Sequence, residues 1–264
     1  MVRLRQMKQR WTISKIKEAR GFMGWSKLIQ IVKAVDVGLR DEYNHVLISN
    51  DMEKAEGRAL VATLFETGGR VSEVLRLRPK DFKSDDNFVY VTLQLAKRFV
   101  KVGKVAKYRA TDETKLRWDT EQEALSSGHP YSEYVGWLTR ARVDYRISSI
   151  PRHEPLVKIM LPWVDYIGKQ DPDGLLFLPH LENENSRYIR AYRICVQAGQ
   201  AVGLETPPHR FRAERGCQLA LEYGLSPHEL AEWFGWRDMS MSFEYISMAP
   251  KIYEKRLKPA ARTP

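Results

Sequence analysis

Three segments of this chain carry residues whose types and spacing could act on a phosphate. Arg70 follows a Gly-Gly pair at a predicted helix start, where backbone amides and a guanidinium together favour an anion. His209 and Arg212 are three residues apart at another predicted helix start, so their side chains share one face. Tyr245 could attack phosphorus, although a hydroxyl with an ordinary pKa of about 10 needs cations beside it. Each of these residues alone also fits a structural role in a cap, an ion pair or a packed core.

The charge balance predicts a polyanionic partner. The chain has 264 residues, with 43 Lys and Arg against 33 Asp and Glu, a net charge of +10 and a pI of about 9.5. Nucleic acid is the most common large polyanion, but charge alone separates neither DNA from RNA nor an enzyme from a passive binder. A hydrophobic fraction of 43% supports a folded core and excludes wholesale disorder.

Several other classes of protein are excluded by composition. No apolar run reaches the roughly 18 residues that span a bilayer, and the basic N-terminus lacks the apolar region of a secretory signal. Two cysteines, Cys195 and Cys217, cannot form a disulfide framework, and without a Cys/His cluster a zinc site is not expected. We therefore expect a cytoplasmic protein, not bound to membrane, that uses no metal or cofactor.

The elements that must position these residues are mostly helical. Residues 54–77 read as helix, Gly-Gly break and helix, and basic amphipathic residues 186–204 as another helix. A new helix is predicted directly after Pro207 and Pro208. Ser226, Pro227 and Glu229 form a capping-box start. Apolar spacing predicts a further helix over residues 156–167, which Pro162 bends or delays.

A small β element interrupts the helices. Residues 88–95 and 142–151 have strand-like composition, and Gly103 among lysines predicts a charged hairpin tip within 97–109. Residues 111–142 show no periodicity over their whole length. Overall, the pattern predicts a mainly α fold with a small antiparallel β-sheet or hairpin, an α+β class.

Three segments then stand together in the order of a known family. The segments ATLFETGGRVSEVLRL, PHRFRAERGCQLALEYGLSPHELAEWFGW and WFGWRDMSMSFEY resemble the boxes of the tyrosine recombinase (phage integrase) family. Their spacing also matches approximately, and they cover most of residues 55–250. The resemblance implies the catalytic-domain architecture of that family.

The resemblance also assigns roles to residues. Arg70 and Arg212 would hold the non-bridging oxygens of a scissile phosphate, and Tyr245 would be the nucleophile. His209 would accept the tyrosine proton or orient the phosphate. Trp236 occupies the family's His-or-Trp position, where it would pack and donate its indole N–H. Glu73, one turn after Arg70, would orient other residues.

The family also keeps a lysine on a β-hairpin between the boxes, as the general acid for the leaving oxygen. Lys97 closes the strand VYVTLQLAK, where that lysine usually falls, and Lys104 is the second candidate. Lys101 and Lys107 lie in the same region. An insertion near 108–140 separates this region from the strand that follows.

The chain departs from the family pattern in two places. Ala213 and Glu214 follow Arg212 where the family often has a second histidine. Arg70 also comes too early for a full core-binding domain. Residues 1–40 are therefore interpreted as a basic helical arm or a remnant of that domain, 41–250 as the catalytic domain, and 251–264 as a basic tail.

The reaction implied by the resemblance is cleavage and rejoining of double-stranded DNA at attachment-type sites through a 3′-phosphotyrosyl link, without metal or ATP. A DNA-bound homo-oligomer, typically a tetramer, would carry it out. Rival interpretations are a type IB topoisomerase, a telomere resolvase, a non-catalytic DNA-binding module with a decayed site, and an RNA-binding basic protein. The last has no RNP-like strand or GXXG loop in its favour.

Overall fold

The computed structural model of the chain describes residues 23–95, 99–141, 143–236 and 238–248. Short 3₁₀ turns follow the first helix at Val35–Val37 and precede the third strand at Pro79–Asp81. The helices in the described residues run, in chain order, as α1 Gly24–Ala34, α2 Asp51–Thr67, α3 Val71–Val74, α4 Glu121–Ser126, α5 Val157–Gln170, α6 Glu184–Gln200, α7 Pro208–Leu221, α8 Pro227–Phe234 and α9 Ser240–Met248.

The strands are antiparallel throughout the described residues. They form a two-stranded sheet β1-β2 and two three-stranded sheets, β3-β4-β8 and β6-β5-β7. Their bounds are β1 Leu39–Arg40, β2 Val46–Ile48, β3 Phe82–Ser84, β4 Phe88–Gln94, β5 Phe99–Ala110, β6 Arg117–Trp118, β7 Tyr131–Ala141 and β8 Tyr145–Pro151.

Local capping signals set several helix starts. The Ser226 side chain accepts from the Glu229 N–H (3.3 Å) while the Glu229 carboxylate accepts from the Ser226 N–H (2.7 Å), which confirms the predicted capping box. Asn50 and Glu53 form the same motif at the start of α2. Pro208 occupies the first turn of α7, where its missing N–H costs nothing. Helix α5 runs through Pro162 and begins before it, at Val157.

The core forms around α2, which is buried along its C-terminal half. Leu60, Leu64 and Phe65 are fully buried there, and α2 packs against both α5 and α7. Because α2 ends in the Gly68-Gly69 turn, its burial fixes that turn against the helices behind it.

The sheet β3-β4-β8 supplies the other wall. Strand alternation turns Val89, Val91 and Leu93 of β4 into the core. On β8 the same alternation buries Arg146 and Ser148 together with Ile150. Two polar side chains, Arg146 and Ser148, thus enter the interior from β8.

The chain divides into two compact units. Residues Lys97–Asp144 form one of them, and the described residues on either side form the other. In the smaller unit β5 and β7 pair along their length, from Phe99 opposite Ala141 to Ala110 opposite Tyr131. The predicted hairpin tip at Gly103 is therefore wrong: Gly103 lies within β5, opposite Leu138 and beside a register shift, because a glycine in a strand also marks a bulge.

The structure leaves several of the sequence predictions untested. The expected insertion at 108–140 falls inside the smaller unit, which starts earlier, at Lys97. The first 22 residues and residues 249–264 lie outside the described part, so the basic arm and the basic tail remain predictions.

The end of α2 and Phe234 of α8 come into close contact at Gly68. Its φ is +53°, and a Cβ there would lie 2.6 Å from Cε1 of Phe234. Gly203 also has a positive φ, +72°, but a Cβ there would meet nothing within 4 Å. We expect Gly203→Ala to lower the free energy of unfolding by about 1 kcal/mol, and Gly68→Ala by about 3 kcal/mol because a clash is added. Urea denaturation measures both; equal losses would show that the contact with Phe234 relaxes freely.

Candidate active site

Arg70 stands at the N-terminus of α3, directly after the turn that ends α2. Its backbone N–H donates to Oε2 of Glu73 (2.9 Å), and its Nη1 donates to Oε1 of the same carboxylate (2.7 Å). Glu73 is fully buried, whereas 42% of the Arg70 side chain is exposed. The carboxylate therefore holds the base of the guanidinium and leaves part of it facing solvent, where an anion can reach it.

Arg212 approaches the same turn from α7. Its Nη1 donates to the Gly68 carbonyl oxygen (2.6 Å), its Nη2 donates to the Phe234 carbonyl oxygen (3.4 Å), and Glu73 Oε2 lies 3.9 Å from Nη1. The guanidinium also lies 4.6 Å from the ring centroid of Phe234. Burial, then repulsion from Arg70, lowers the pKa of Arg212 to about 10, so it stays charged at neutral pH.

His209 lies one turn before Arg212 on α7. Burial, together with repulsion from Arg212 and Arg70, lowers the pKa of its imidazole from 6.5 to about 4. A neutral imidazole has a free ring nitrogen that can accept a proton. The predicted pairing of His209 and Arg212 on one helix face thus brings a proton acceptor next to an anion-binding cation.

Tyr245 lies on α9 and is completely buried. Its ring stacks on Trp236 (5.1 Å between centroids, 23° between planes) and lies over Gly216 of α7, where a Cβ would come within 3.1 Å of Cγ of the tyrosine ring. Burial raises the pKa of Tyr245, while the charges of Arg212 and Arg70 oppose that rise. The hydroxyl is close enough to Arg212 for the positive charge to favour its ionised form. Within the described residues it makes no hydrogen bond of ordinary geometry.

Trp236 follows α8 after a left-handed glycine, Gly235. It is sandwiched between Phe234 (4.4 Å, 12°) and Tyr245, and its ring lies 5.5 Å from the Arg212 guanidinium. Its place in the structure is therefore that of a packing residue between the nucleophile candidate and the arginine. Donation by its indole N–H stays a prediction.

Arg146 is a buried cation that the sequence did not reveal. It donates from Nη2 to the Thr67 carbonyl oxygen (2.8 Å) and from Nη1 to the Trp233 carbonyl oxygen (3.0 Å). Burial, then repulsion from Arg212, lowers its pKa to about 9. It also donates to the Ser148 hydroxyl two residues along β8, but the two carbonyl partners are far away in sequence.

The candidate lysines fall in the smaller unit or outside the described residues. Lys97 lies outside them, and Lys101 lies on β5. Lys104 stands over the ring of Trp137 (5.9 Å to the centroid), and Lys107 forms an ion pair with Asp119 (2.7 Å). Lys107 is thereby paired with Asp119, and Lys97 stays the predicted general acid with Lys104 as the alternative.

Within the described ranges, no three His, Cys, Asp or Glu side chains converge as a metal site. No helix in that part of the chain is long and apolar enough to cross a bilayer. Burial raises the pKa of both Cys195 and Cys217, which makes them inert packing residues.

The model of the phage integrase family matches residues 40–251. The chain belongs to the phage integrase family. Its resemblance to that family, the tyrosine recombinases, is thus confirmed over most of its length.

Solved structures show the same fold as this integrase-family chain. The XerH site-specific recombinase, bound to palindromic difH substrate in a post-cleavage complex, matches with a TM-score of 0.53 at 13% identity, over 90% of this chain and 52% of that one. The XerA recombinase matches with a TM-score of 0.53 at 15% identity, over 91% and 66%. The chain thus spans about half the length of XerH and 66% of XerA. The α+β class and the catalytic-domain architecture are confirmed; curated protein sequences contain no match.

His209 makes stability depend on pH. Because its pKa falls from 6.5 in the unfolded chain to about 4 in the folded one, the unfolded chain binds more protons between these values. Stability is therefore lost as pH falls from 6.5 to 4. We expect His209→Gln to flatten the pH dependence over this range, by a difference on the order of 2–3 kcal/mol in the free energy of unfolding. Urea titrations at each pH measure it, with the exposed His228→Gln as control. Parallel curves for wild type and His209→Gln would contradict the burial of this imidazole.

Proposed function

We propose that this chain is a site-specific DNA recombinase, or integrase, that cleaves and rejoins strands through a 3′-phosphotyrosyl intermediate without metal or ATP. The observation that supports the proposal is that Arg70, a neutral His209 and Tyr245 all lie close to Arg212. These residues come from α3, α7 and α9, and their joint placement is what a phosphate-directed tyrosine needs.

Two arginines suit the negative charge that the non-bridging phosphate oxygens carry in the transition state. Arg70 and Arg212 present planar guanidinium forks, which match pairs of non-bridging phosphate oxygens better than an ammonium does. Glu73 is the nearest carboxylate to both, at 2.7 and 3.9 Å, and one negative charge does not cancel two cations. The remaining positive charge is available to stabilise the transition state, in a site where water is largely excluded.

Proton transfers follow from the same arrangement. Tyr245 oxygen attacks phosphorus and its proton passes to His209, which is neutral and can accept it. The bond from phosphorus to the 5′ oxygen breaks, and a lysine donates the proton that this oxygen takes up. Lys97 is our proposed donor and Lys104 the alternative. The 3′-phosphotyrosyl bond keeps the energy of the broken ester, so a 5′-hydroxyl can reverse the step.

Because Tyr245 is buried, we expect its hydroxyl to react only when DNA is bound. A fully buried hydroxyl cannot reach a phosphate until α9 shifts relative to Gly216 of α7. Part of the packing that must yield is the cluster that Tyr245 forms with Ala213, Trp236 and Met241. DNA binding is thus expected to expose the tyrosine at the moment it is needed.

The proposed partner is double-stranded DNA with attachment-type sites, and the proposed assembly is a homo-tetramer on that DNA. The net charge of +10 and the family membership support the first. The XerH structures, whose chain resembles this one in fold, hold difH substrate. The proposed place of action is the cytoplasm of the host cell, where the DNA lies.

Replacing the nucleophile tests the reaction. We expect Tyr245→Phe to abolish covalent protein–DNA adducts on a nicked attachment-site duplex, because no hydroxyl remains to attack, while DNA affinity persists. A denaturing gel measures the adducts. The control is Tyr166→Phe, which removes an exposed hydroxyl on α5 and keeps wild-type adduct formation. Normal adducts from Tyr245→Phe would move the nucleophile to another residue.

A modified leaving group tests the lysine. Lys97→Ala is expected to cleave an ordinary duplex slowly but to regain near wild-type rates on a 5′-bridging phosphorothiolate, whose sulfur leaves without a proton. Single-turnover cleavage rates on the two substrates measure the rescue. Lys107→Ala, which breaks the ion pair with Asp119, is the control. Selective rescue of Lys104→Ala would assign the general acid to Lys104 and overturn the choice of Lys97.

A further inference from the structure

Helices α2 and α8 end close together, at the turns that precede Arg70 and Trp236. Helix α2 ends at Thr67 with Gly68 as its left-handed cap, and α8 ends at Phe234. The last carbonyl groups of a helix have no partner within it and carry the negative end of its dipole. Two such ends side by side repel each other, so cations between them are strongly favoured.

Arg146 and Arg212 supply that positive charge in the same way. Arg146 of β8 donates to the carbonyl oxygens of Thr67 in α2 (2.8 Å) and Trp233 in α8 (3.0 Å). Arg212 of α7 donates to the next carbonyl along the chain at both helix ends, at 2.6 and 3.4 Å. Each guanidinium thus bridges the two helix ends. We call Arg146 and Arg212 the double clamp.

The Arg146 half of the double clamp is braced by its own strand. Ser148, two residues along β8, accepts a hydrogen bond from Nη1 of Arg146, and its hydroxyl donates to the Thr67 carbonyl oxygen (3.2 Å). The guanidinium lies 5.3 Å from the ring centroid of Trp233. Both Arg146 and Ser148 are buried, so water is not available to replace these bonds when the guanidinium is removed.

Arg146 also adds to the positive charge of the candidate active site. Burial alone would raise the pKa of Glu73, but the charges of Arg212, Arg70 and, to a smaller extent, Arg146 bring it below its usual value. Both terminal nitrogens of Arg146 already donate to carbonyl oxygens. Arg146 therefore acts through the other two arginines and not on a phosphate itself.

We propose that Arg146 is a positioning residue for the cleavage of DNA, which holds the turn before Arg70 and the turn before Trp236 in register with Arg212. The proposal rests on the proposed function in taking phosphate cleavage as the reaction. A lysine ammonium is a single point of charge and cannot replace a planar fork that bridges two helix ends. A misplacement of about 1 Å near a reacting centre can slow a reaction roughly a hundredfold.

Hydrogen exchange without DNA tests the double clamp directly. We expect Arg146→Lys to speed amide exchange about tenfold in the peptides that contain Gly69 and Trp236, because both turns lose a bridging partner. Mass spectrometry of the exchanged peptides measures it. The control is Arg190→Lys on α6, which removes a fork that also holds two successive carbonyls, those of Val46 (3.1 Å) and Leu47 (2.5 Å). It should speed exchange at β2 and leave both turns unchanged.

Single-turnover cleavage of a saturating nicked duplex tests the consequence for the reaction. We expect Arg146→Lys to cleave roughly tenfold to a hundredfold more slowly than wild type, with an unchanged dissociation constant for the duplex. Arg190→Lys should cleave at the wild-type rate.

A neutral substrate separates positioning from loss of folded protein. In a methylphosphonate, a methyl group replaces one non-bridging oxygen of the cleaved phosphate and removes the charge that Arg70 and Arg212 stabilise. On this substrate we expect the rate difference between Arg146→Lys and wild type to shrink. An equal difference on both substrates would mean that the variant only lowers the amount of folded enzyme, and would overturn the proposal.

A milder variant serves if Arg146→Lys fails to fold, as judged by circular dichroism. Ser148→Ala removes the brace and its bond to the Thr67 carbonyl oxygen but keeps both arginines. It should shift exchange at the two turns and cleavage in the same directions by smaller factors. Unchanged exchange in a folded Arg146→Lys, or in Ser148→Ala where that variant does not fold, contradicts the double clamp.

The two measurements fail separately from the recombinase proposal. If the wild-type chain forms no adducts, the recombinase proposal fails, and exchange at the two turns still decides whether Arg146 holds them. If the wild-type chain cleaves DNA and Arg146→Lys cleaves it equally fast, the positioning proposal is wrong and the recombinase proposal stands.

Discussion

The hydrogen bond from Arg212 to the Gly68 carbonyl is the contact on which the site depends. It joins the start of α7 to the turn between α2 and α3. Arg212 on α7 is thereby kept close to Arg70, which directly follows that turn. Burying this guanidinium is costly, and the carbonyls of Gly68 and Phe234 with the carboxylate of Glu73 offset the cost. These partners leave the net charge of the cluster positive, which is the condition for binding a phosphate.

A second buried network holds α7 in place one turn further on. Arg215 donates to both oxygens of Glu154 (2.9 and 2.8 Å) and lies 3.4 Å from Glu66 of α2, while Tyr223 donates to Glu154. Burial raises the pKa of Glu66 well above its usual value, and the charge of Arg215 opposes that rise. The helix that carries His209 and Arg212 is thus pinned to α2 at two successive turns.

Local signals in the sequence predicted the elements of the site but not all of its partners. The Gly-Gly turn, the proline start of α7 and the Ser226 capping box depend on residues close in sequence, so their elements were predictable. Arg146 was not, because it bonds to backbone carbonyls of Thr67 and Trp233, which only the fold brings near. The prediction of a hairpin tip at Gly103 was wrong, because Gly103 lies within β5. Lysines interrupt the apolar pattern of that strand, and its pairing with β7 is long-range.

The central proposal is that Tyr245, which lies near the charges of Arg212 and Arg70, forms the covalent bond to DNA. The most direct measurement is mass spectrometry of the protein after reaction with a nicked duplex, nuclease trimming and proteolysis. A nucleotide joined through its 3′-phosphate to the peptide that contains Tyr245 is the predicted product. A phosphotyrosyl bond on another residue, such as Tyr253, or a linkage through a 5′-phosphate would contradict the account.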